Sequence, residues 1–402
     1  MRLKEICDYI SRGTTPDYVD DSPYKVMNQA TFSKGWLDES NIRYTSKNAS
    51  EAQIKKGDLL MASTGGGVLG KVFFFDSDDT SFYADSHVSI LRNSKGKNMM
   101  KYLYYVFSIK YDEINATMVK GSTNQTELQR NYLLAYEIDI PSLSKQQRIV
   151  DYLDAKLGKI DARIAILEKQ QDAYARLKRS VIHHAVTRGL NPNASLKDSG
   201  VKWIGLIPEH WELQRFKSIF TECKSVTETG QEDLLSVSEY YGVARRIDKM
   251  EDGEYESRAD SLVSYKVCKK DDLVINIMLA WKRGLGFSDF DGIVSPAYAV
   301  YRGKNIAPHY FHYLMRTDMY VAEYKRNSKG IIDSRLRMYT DRFNNIMAIV
   351  PPLSEQQVIA AYLDEKCSKI DAATENIGKQ IDALKRLKRA LINEVVTGQR
   401  AV

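Results

Sequence analysis

Three constellations in this 402-residue chain hold residue types that could do chemistry. Gly65-Gly66-Gly67-Val68-Leu69-Gly70-Lys71 fills the first seven places of a phosphate-binding loop, in which backbone N–H groups and a lysine cradle phosphate. The eighth place needs a Ser or Thr hydroxyl to reach Mg²⁺ and is Val72, so the stretch reads as a glycine-rich turn between strands. Asp85-Ser86-His87 supplies a carboxylate and an imidazole, the groups a metal site or a hydrolytic triad would use. The aligned stretch later in the chain is Ser295-Pro296-Ala297, so His87 reads as a core or strand histidine. His183 and His184 are adjacent rather than four apart, so their rings leave a helix on different sides and cannot share a metal. Cys7, Cys223, Cys268 and Cys367 form no C-x-x-C pair, which argues against a disulfide framework and a zinc site; they are expected reduced and buried. No strand-linked G-x-G cofactor loop and no D-P-P-Y or N-P-P-F motif occurs, and Asn191-Pro192-Asn193 lacks the aromatic. The expectation is a non-enzyme without cofactor or metal.

The elements around these residues are organised by a duplication. Residues 141–187 reappear without a gap at 351–397, shifted by 210, with 25 identities in 47 positions. Both copies open on a proline followed by the S-x-x-Q spacing of a capping box, Ser144/Gln147 and Ser354/Gln357, so a long helix is predicted to start at each. In the first copy Leu153, Ile160, Leu167, Tyr174 and Val181 recur every seven positions beside Val150, Leu157 and Ile164; in the second, Leu363, Ile370, Ile377, Leu384 and Leu391 are flanked by Ala360, Cys367 and Ile381. Such a seam needs a partner of similar length, and the other copy is at hand, which predicts one intramolecular coiled coil acting as a spacer of roughly 65 Å. The basic clusters Arg176, Lys178, Arg179 and Lys385, Arg386, Lys388, Arg389 suit helix C-termini.

The rest reads as two globules. In residues 1–140, Lys56-Gly57-Asp58 turns into a strand at Leu59–Ala62; Gly70–Phe75 and His87–Leu91 are further strand-length runs, Asn98–Ile114 is an amphipathic helix, and Ile138–Ile140 is a last short strand. Residues 189–202 have the composition of a linker. Residues 203–350 repeat the first layout: Lys269–Val274 echoes Lys55–Leu60, the helix opening at Pro308 echoes that at Asn98, and Lys329-Gly330 echoes Lys120-Gly121. The fold class is therefore α+β: two α/β globules separated by a pair of long antiparallel coiled-coil helices (141–188 and 351–402), with an internal pseudo-two-fold repeat. Net charge is +6, but residues 141–189 alone carry ten Lys and Arg against five Asp and Glu, so the globules are near neutral and any polyanion contact must come from local patches. The opening residues have no signal core and no long uncharged apolar run follows, which predicts a cytoplasmic chain without a membrane span.

Two diverged globules on nearly unchanged helices suit an object read at two points a fixed distance apart. Duplex DNA is such an object, since two modules face the same groove side at centres roughly 34 to 36 Å apart. At this point the residues resemble a known family. Trp203-Ile204-Gly205-Leu206-Ile207-Pro208-Glu209-His210-Trp211-Glu212 looks like the opening of a target recognition domain, and Pro351–Gln357 followed by Leu363-Asp364 and Lys369-Ile370-Asp371 looks like its closing helix. Together, and over the whole chain in order, they resemble the specificity (S) subunit of type I restriction-modification systems. The resemblance implies a non-catalytic DNA-binding subunit active in host defence. It would bind double-stranded DNA at a bipartite site and recruit two modification (methyltransferase) subunits, which carry out DNA methylation, and motor-nuclease restriction subunits. One departure is that no W-I-G-x-I-P-x-H-W stretch precedes the first globule, which begins near the equivalent of Arg215-Phe216-Lys217: either that domain lacks its usual outer edge or the sequence starts late.

Asn, Gln and Arg can make paired hydrogen bonds to base edges, whereas Lys and Ser more often hold phosphates. The expected DNA contacts in the first globule are Gly66 and Lys71 on the glycine-rich turn, then Lys120, Ser122, Thr123, Asn124, Gln125, Gln129 and Arg130. In the second they are Lys282 and Arg283 beside Trp281, then Lys325, Arg326, Asn327, Lys329, Ser334, Arg335 and Arg337, a segment that resembles the family's variable DNA-facing loop. Off-seam residues retained in both helices, Gln146, Gln147, Tyr152, Lys156, Gln356, Gln357, Tyr362 and Lys366, are the expected partner-docking residues; common descent alone is the other explanation. A coiled-coil scaffold whose globules bind proteins is the competing reading, and a hydrolase is the third, lacking any duplicated carboxylate or histidine cluster.

Overall fold

The computed structural model describes residues 1–46, 50–94, 96–120, 126–249 and 261–402. They form two compact units, Met1–Glu168 with Gly378–Val402, and Lys169–Ile377. The division passes through both long helices, so each unit joins one globule to half of each helix.

In the first unit Leu59–Ala62 is the central strand, buried along its length. It pairs antiparallel with Val72–Phe74 on one side and Val88–Arg92 on the other, and Tyr9–Arg12 adds beyond Val88–Arg92. A second sheet of short strands, Tyr18–Val19, Arg43–Thr45, Lys25–Met27 and Phe82–Ala84, contains one parallel pair. The helix expected over Asn98–Ile114 is two, Lys97–Ser108 and Tyr111–Thr117. Bonds from Ile109 N–H to Val106 and from Lys110 N–H to Phe107 tighten the last turn and end the first helix, a local break that apolar spacing does not register.

The second unit repeats the four-stranded sheet in the same order: Phe220–Cys223, Tyr298–Gly303, Asp272–Asn276, Leu285–Phe287. The echo between Lys55–Leu60 and Lys269–Val274 extends to single bonds. A left-handed residue, Gly57 at φ 93° or Asp271 at φ 67°, precedes a buried carboxylate, Asp58 or Asp272. Each carboxylate accepts from the backbone three residues earlier, Lys55 N–H at 2.7 Å and Lys269 N–H at 2.9 Å. Each also accepts both arms of an arginine, Arg92 at 2.7 Å or Arg302 at 2.8 and 2.9 Å.

Ile138–Ile140, expected as a strand, is not one. Its counterpart Met347–Val350 is a strand because Glu212–Arg215 lies against it over four residues. Ile138 pairs only with Met1, through two 2.9 Å bonds, and Glu137 bridges Arg2. Extended backbone becomes sheet only where a partner ladder continues.

The long helices span Leu143–Arg188 and Leu353–Val396. They begin ahead of Ser144 and Ser354, so the expected capping boxes are not the caps: Ser142 Oγ accepts from Lys145 N–H at 3.4 Å, and Gln147 turns to Asp151 instead. Gly189, at φ 75°, ends the first helix. In each unit the two half-helices run antiparallel. Val150, Leu153 and Leu157 share a core with Leu391, Ile392 and Val395 in the first unit, where Lys388 pairs with Asp161 at 2.7 Å. In the second, Lys178 pairs with Asp371 at 2.6 Å. These are the same ion pair formed twice, so Lys178 and Lys388 bridge the helices rather than merely answering a helix end.

Candidate functional site

In the first unit the central strand runs into Ser63 and the glycine-rich turn. Gly65, Gly67 and Gly70 take φ of 98°, 78° and 84°, a backbone that side chains rarely adopt, and Gly66 stands exposed between them. The turn is joined to a second segment by Leu128 N–H to Ser63 C=O at 2.8 Å and by a bridge between Thr64 and Glu127. That segment is a hairpin, Val119–Lys120 against Glu127–Leu128. Ser122, Thr123, Asn124 and Gln125, and the Lys120 side chain, lie outside the described residues. Gln129 stands at the N-cap position of the short helix Arg130–Ala135 without a side-chain capping bond, and exposed Arg130 donates to Ile10 C=O at 3.3 Å. The fold thus joins the turn that carries Gly66 to residues 127–130, with half-buried Lys71 ending the turn. His87 corrects the expectation of a core or strand histidine: it is an exposed turn residue just before Val88–Arg92 and hydrogen-bonds Thr64 Oγ1 through Nδ1 at 2.7 Å. Beneath it, burial raises the Asp85 carboxyl above the usual range.

The second unit makes the same junction. Met338 N–H donates to Ile277 C=O at 2.8 Å, the counterpart of Leu128 and Ser63. The turn carries Trp281, whose indole donates to Met278 C=O at 3.0 Å while the ammonium groups of Lys282 and Lys325 sit 5.0 and 5.2 Å from its ring centre. The facing loop is closed by paired backbone bonds between Lys329 and Arg337 of 3.0 and 2.9 Å. Lys282, Lys325, Lys329 and Arg335 are exposed around this junction; the Ser334 side chain lies outside the described residues.

Four expected DNA contacts are bonded within the fold. Arg283 donates to Arg316 C=O at 3.0 Å and pairs with Asp318. Asn327 donates to the backbone and the carboxylate of Glu323, at 3.0 and 2.8 Å, and Arg326 pairs with the same Glu323 at 2.8 Å. Arg337 donates to Leu336 C=O at 2.9 Å but stays half-exposed. A residue that sequence reasoning missed sets the turn itself: Arg316 donates to the carbonyls of Arg283, Leu285, Glu239 and Tyr240 at 2.6 to 3.1 Å, and burial lowers its pKa to about 10. No local pattern marks it, since its acceptors come from two distant loops.

On the long helices Gln146 and Gln356 are corrected as docking residues, each being 1 % exposed. Gln146 donates to Pro141 C=O at 2.7 Å; Gln356 donates to Pro351 C=O at 2.8 Å and accepts Ala307 N–H at 2.9 Å. They lock the helix start to the preceding chain. Tyr152 with Lys156, and Tyr362 with Lys366, form the same cation–ring pair at 5.6 Å in both copies, and Gln147 and Gln357 also keep solvent access. Asp154 and Asp364, likewise retained, each bind a tyrosine of their own globule, Tyr105 and Tyr313.

Among the described residues no group of His, Cys, Asp and Glu could hold a metal ion, and no helix is long and apolar enough to cross a membrane. The four cysteines are free, and burial pushes the Cys7 and Cys268 thiols up to about 12.

In sequence and in fold this doubled α+β globule on duplicated long helices is similar to type I restriction-modification specificity subunits. Residues 1–173 match the family described as type I restriction modification DNA specificity domain. The chain is 24% identical to the putative type I restriction enzyme MjaX specificity subunit of Methanocaldococcus jannaschii, over 99% of this chain and 92% of that one. It is 22% identical to the MjaVIII specificity subunit of the same organism over 89% and 82%, and 20% identical to the EcoKI specificity subunit of Escherichia coli over 48% and 44%. Among solved structures, a chain from a study of complex assembly and conformational transition of the type I R-M system aligns at TM-score 0.68 with 15% identity, over 98% of this chain and 96% of that one. The HsdS subunit from Thermoanaerobacter tengcongensis aligns at 0.50 with 15% identity, over 100% and 96%.

Proposed function

We propose that this chain reads a bipartite DNA sequence, one half-site per unit, and recruits the methyltransferase and motor-nuclease subunits of a type I restriction-modification complex, itself catalysing nothing. The observation that carries the reading is the doubled junction: Leu128 N–H to Ser63 C=O in one unit and Met338 N–H to Ile277 C=O in the other join a turn to a second segment just beyond the equivalent strand of each four-stranded sheet. Loops so mounted can meet base edges and phosphates with little reorganisation. Exposed cations at the second junction supply phosphate contacts, which makes binding salt-dependent. The paired Tyr152/Lys156 and Tyr362/Lys366 surfaces offer two like sites for two copies of one modification subunit.

The test is selection from a randomised duplex pool by the purified chain, alone and with its co-expressed modification subunit, followed by sequencing. Enrichment of two half-sites across a fixed gap is the expected result. Retention without sequence preference, or none, would leave a protein-binding scaffold in its place.

A further inference from the structure

Ile331 is the most exposed large hydrophobic residue among those described, at 98 %, and Ile332 beside it stands at 54 %. They form the tip of the loop closed by Lys329 and Arg337. Nothing in the tip depends on burying them. Gly330 bends at φ 155°, where a Cβ would lie 2.6 Å from Arg335 C=O, and Lys325 ties Asp333 at 2.9 Å, so backbone and an ion pair hold the arm. Two β-branched side chains, stiff at χ1, are thus presented outward by a shaped loop.

The surroundings select the occupant. Among the described residues of this segment the acids are paired, Asp333 with Lys325 and Glu323 with Arg326, while Lys329 and Arg335 are exposed. An apolar tip in a cationic rim fits a polyanion with apolar groups inside its grooves. In duplex DNA those are the thymine methyls of the major groove, which is wide enough to admit a helix or a ribbon and so the tip of a loop. In sequence, Ser122 and Thr123 follow Lys120-Gly121 where Ile331 and Ile332 follow Lys329-Gly330.

We propose that Ile331 and Ile332 contact thymine methyl groups and thereby specify part of the half-site read by the second unit. The proposal rests on the DNA-reading function above. In the test, the full chain with its modification subunit binds the selected duplex with each thymine replaced in turn by deoxyuridine, which lacks only the methyl. At one or two neighbouring positions of one half-site the replacement should weaken wild-type binding roughly five- to tenfold. The double variant Ile331→Ala, Ile332→Ala should bind thymine and deoxyuridine duplexes equally there, with an unchanged melting temperature, while the Val, Val variant retains most of the discrimination. Undiminished discrimination in the Ala, Ala variant, or no sensitive thymine in either half-site, overturns the proposal and leaves the DNA-reading function standing. Failure of the wild type to select any bipartite motif removes both.

Discussion

Two residues in corresponding places differ in how much water they see, and that difference sets what their loss costs. Asp58 and Asp272 hold their arginines alike, but the Arg92 side chain is 18% exposed and that of Arg302 57%. Breaking a pair strands its surviving charge, which is costly only where water cannot reach it. Asp58→Asn should lower stability by about 3 kcal/mol and Asp272→Asn by about 1 kcal/mol, measured by urea unfolding; the reverse order would refute this account. His312 supplies a pH dependence. Burial, aided by the charges of Arg316 and His309 and opposed by Asp364, pulls its pKa down to about 3. An unfolded chain takes up that proton near pH 6.5 whereas the folded chain does not, so stability present at pH 7 is lost as pH falls below about 6.5 toward 3. Between pH 7 and 5 this amounts to at most about 2 kcal/mol, and His312→Gln should remove it from the difference between unfolding curves at the two values. An unchanged difference in the variant would show that the loss arises elsewhere.

At the scale of elements, the two helix starts look alike and are held differently. Both Gln146 and Gln356 reach back to a proline carbonyl, but only Gln356 also satisfies a buried N–H, that of Ala307, while Gln146 Oε1 accepts nothing. Gln356→Ala should therefore cost about 2 to 3 kcal/mol and Gln146→Ala about 1 kcal/mol, read from unfolding midpoints. The seam gives a second contrast. Leu363 is fully buried and Leu387 is exposed, although both are helix leucines. Leu363→Ala should destabilise by about 2 to 5 kcal/mol and Leu387→Ala by less than about 0.5 kcal/mol. Equal losses would mean that the seam runs elsewhere on the helix.

For the molecule as a whole, function is a matter of surfaces held in duplicate. Lys156 and Lys366 lie exposed over Tyr152 and Tyr362, so reversing both charges leaves the interior intact. Lys156→Glu with Lys366→Glu should weaken association with the modification subunit by tenfold or more at an unchanged melting temperature, as followed by sedimentation; undisturbed assembly would assign these retained residues to common descent. On the DNA side, Lys329→Gln should weaken binding evenly across sequences and reduce the magnitude of the log–log salt slope by about one, the signature of a lost phosphate contact. A change confined to one base position would instead make Lys329 a reader of sequence.

The duplication, the seven-residue seam, the α+β order and the echo of Lys55–Leu60 in Lys269–Val274 were legible in the chain alone, because identity and periodicity are properties of neighbours along it. The candidate surface was legible as segments: the glycine-rich turn, the stretch around Lys120 and the stretch from Lys325 to Arg337. What a given polar side chain does was not. Arg283 and Asn327 have the chemistry of base readers, yet Asp318 and Glu323 hold them; Gln146 and Gln356 have the chemistry of a docking surface, yet they are buried. A polar group is satisfied by whichever partner the fold brings within about 3 Å. Only the tertiary structure could decide that Leu128 meets Ser63, that Met338 meets Ile277, and that Ile331 stands exposed.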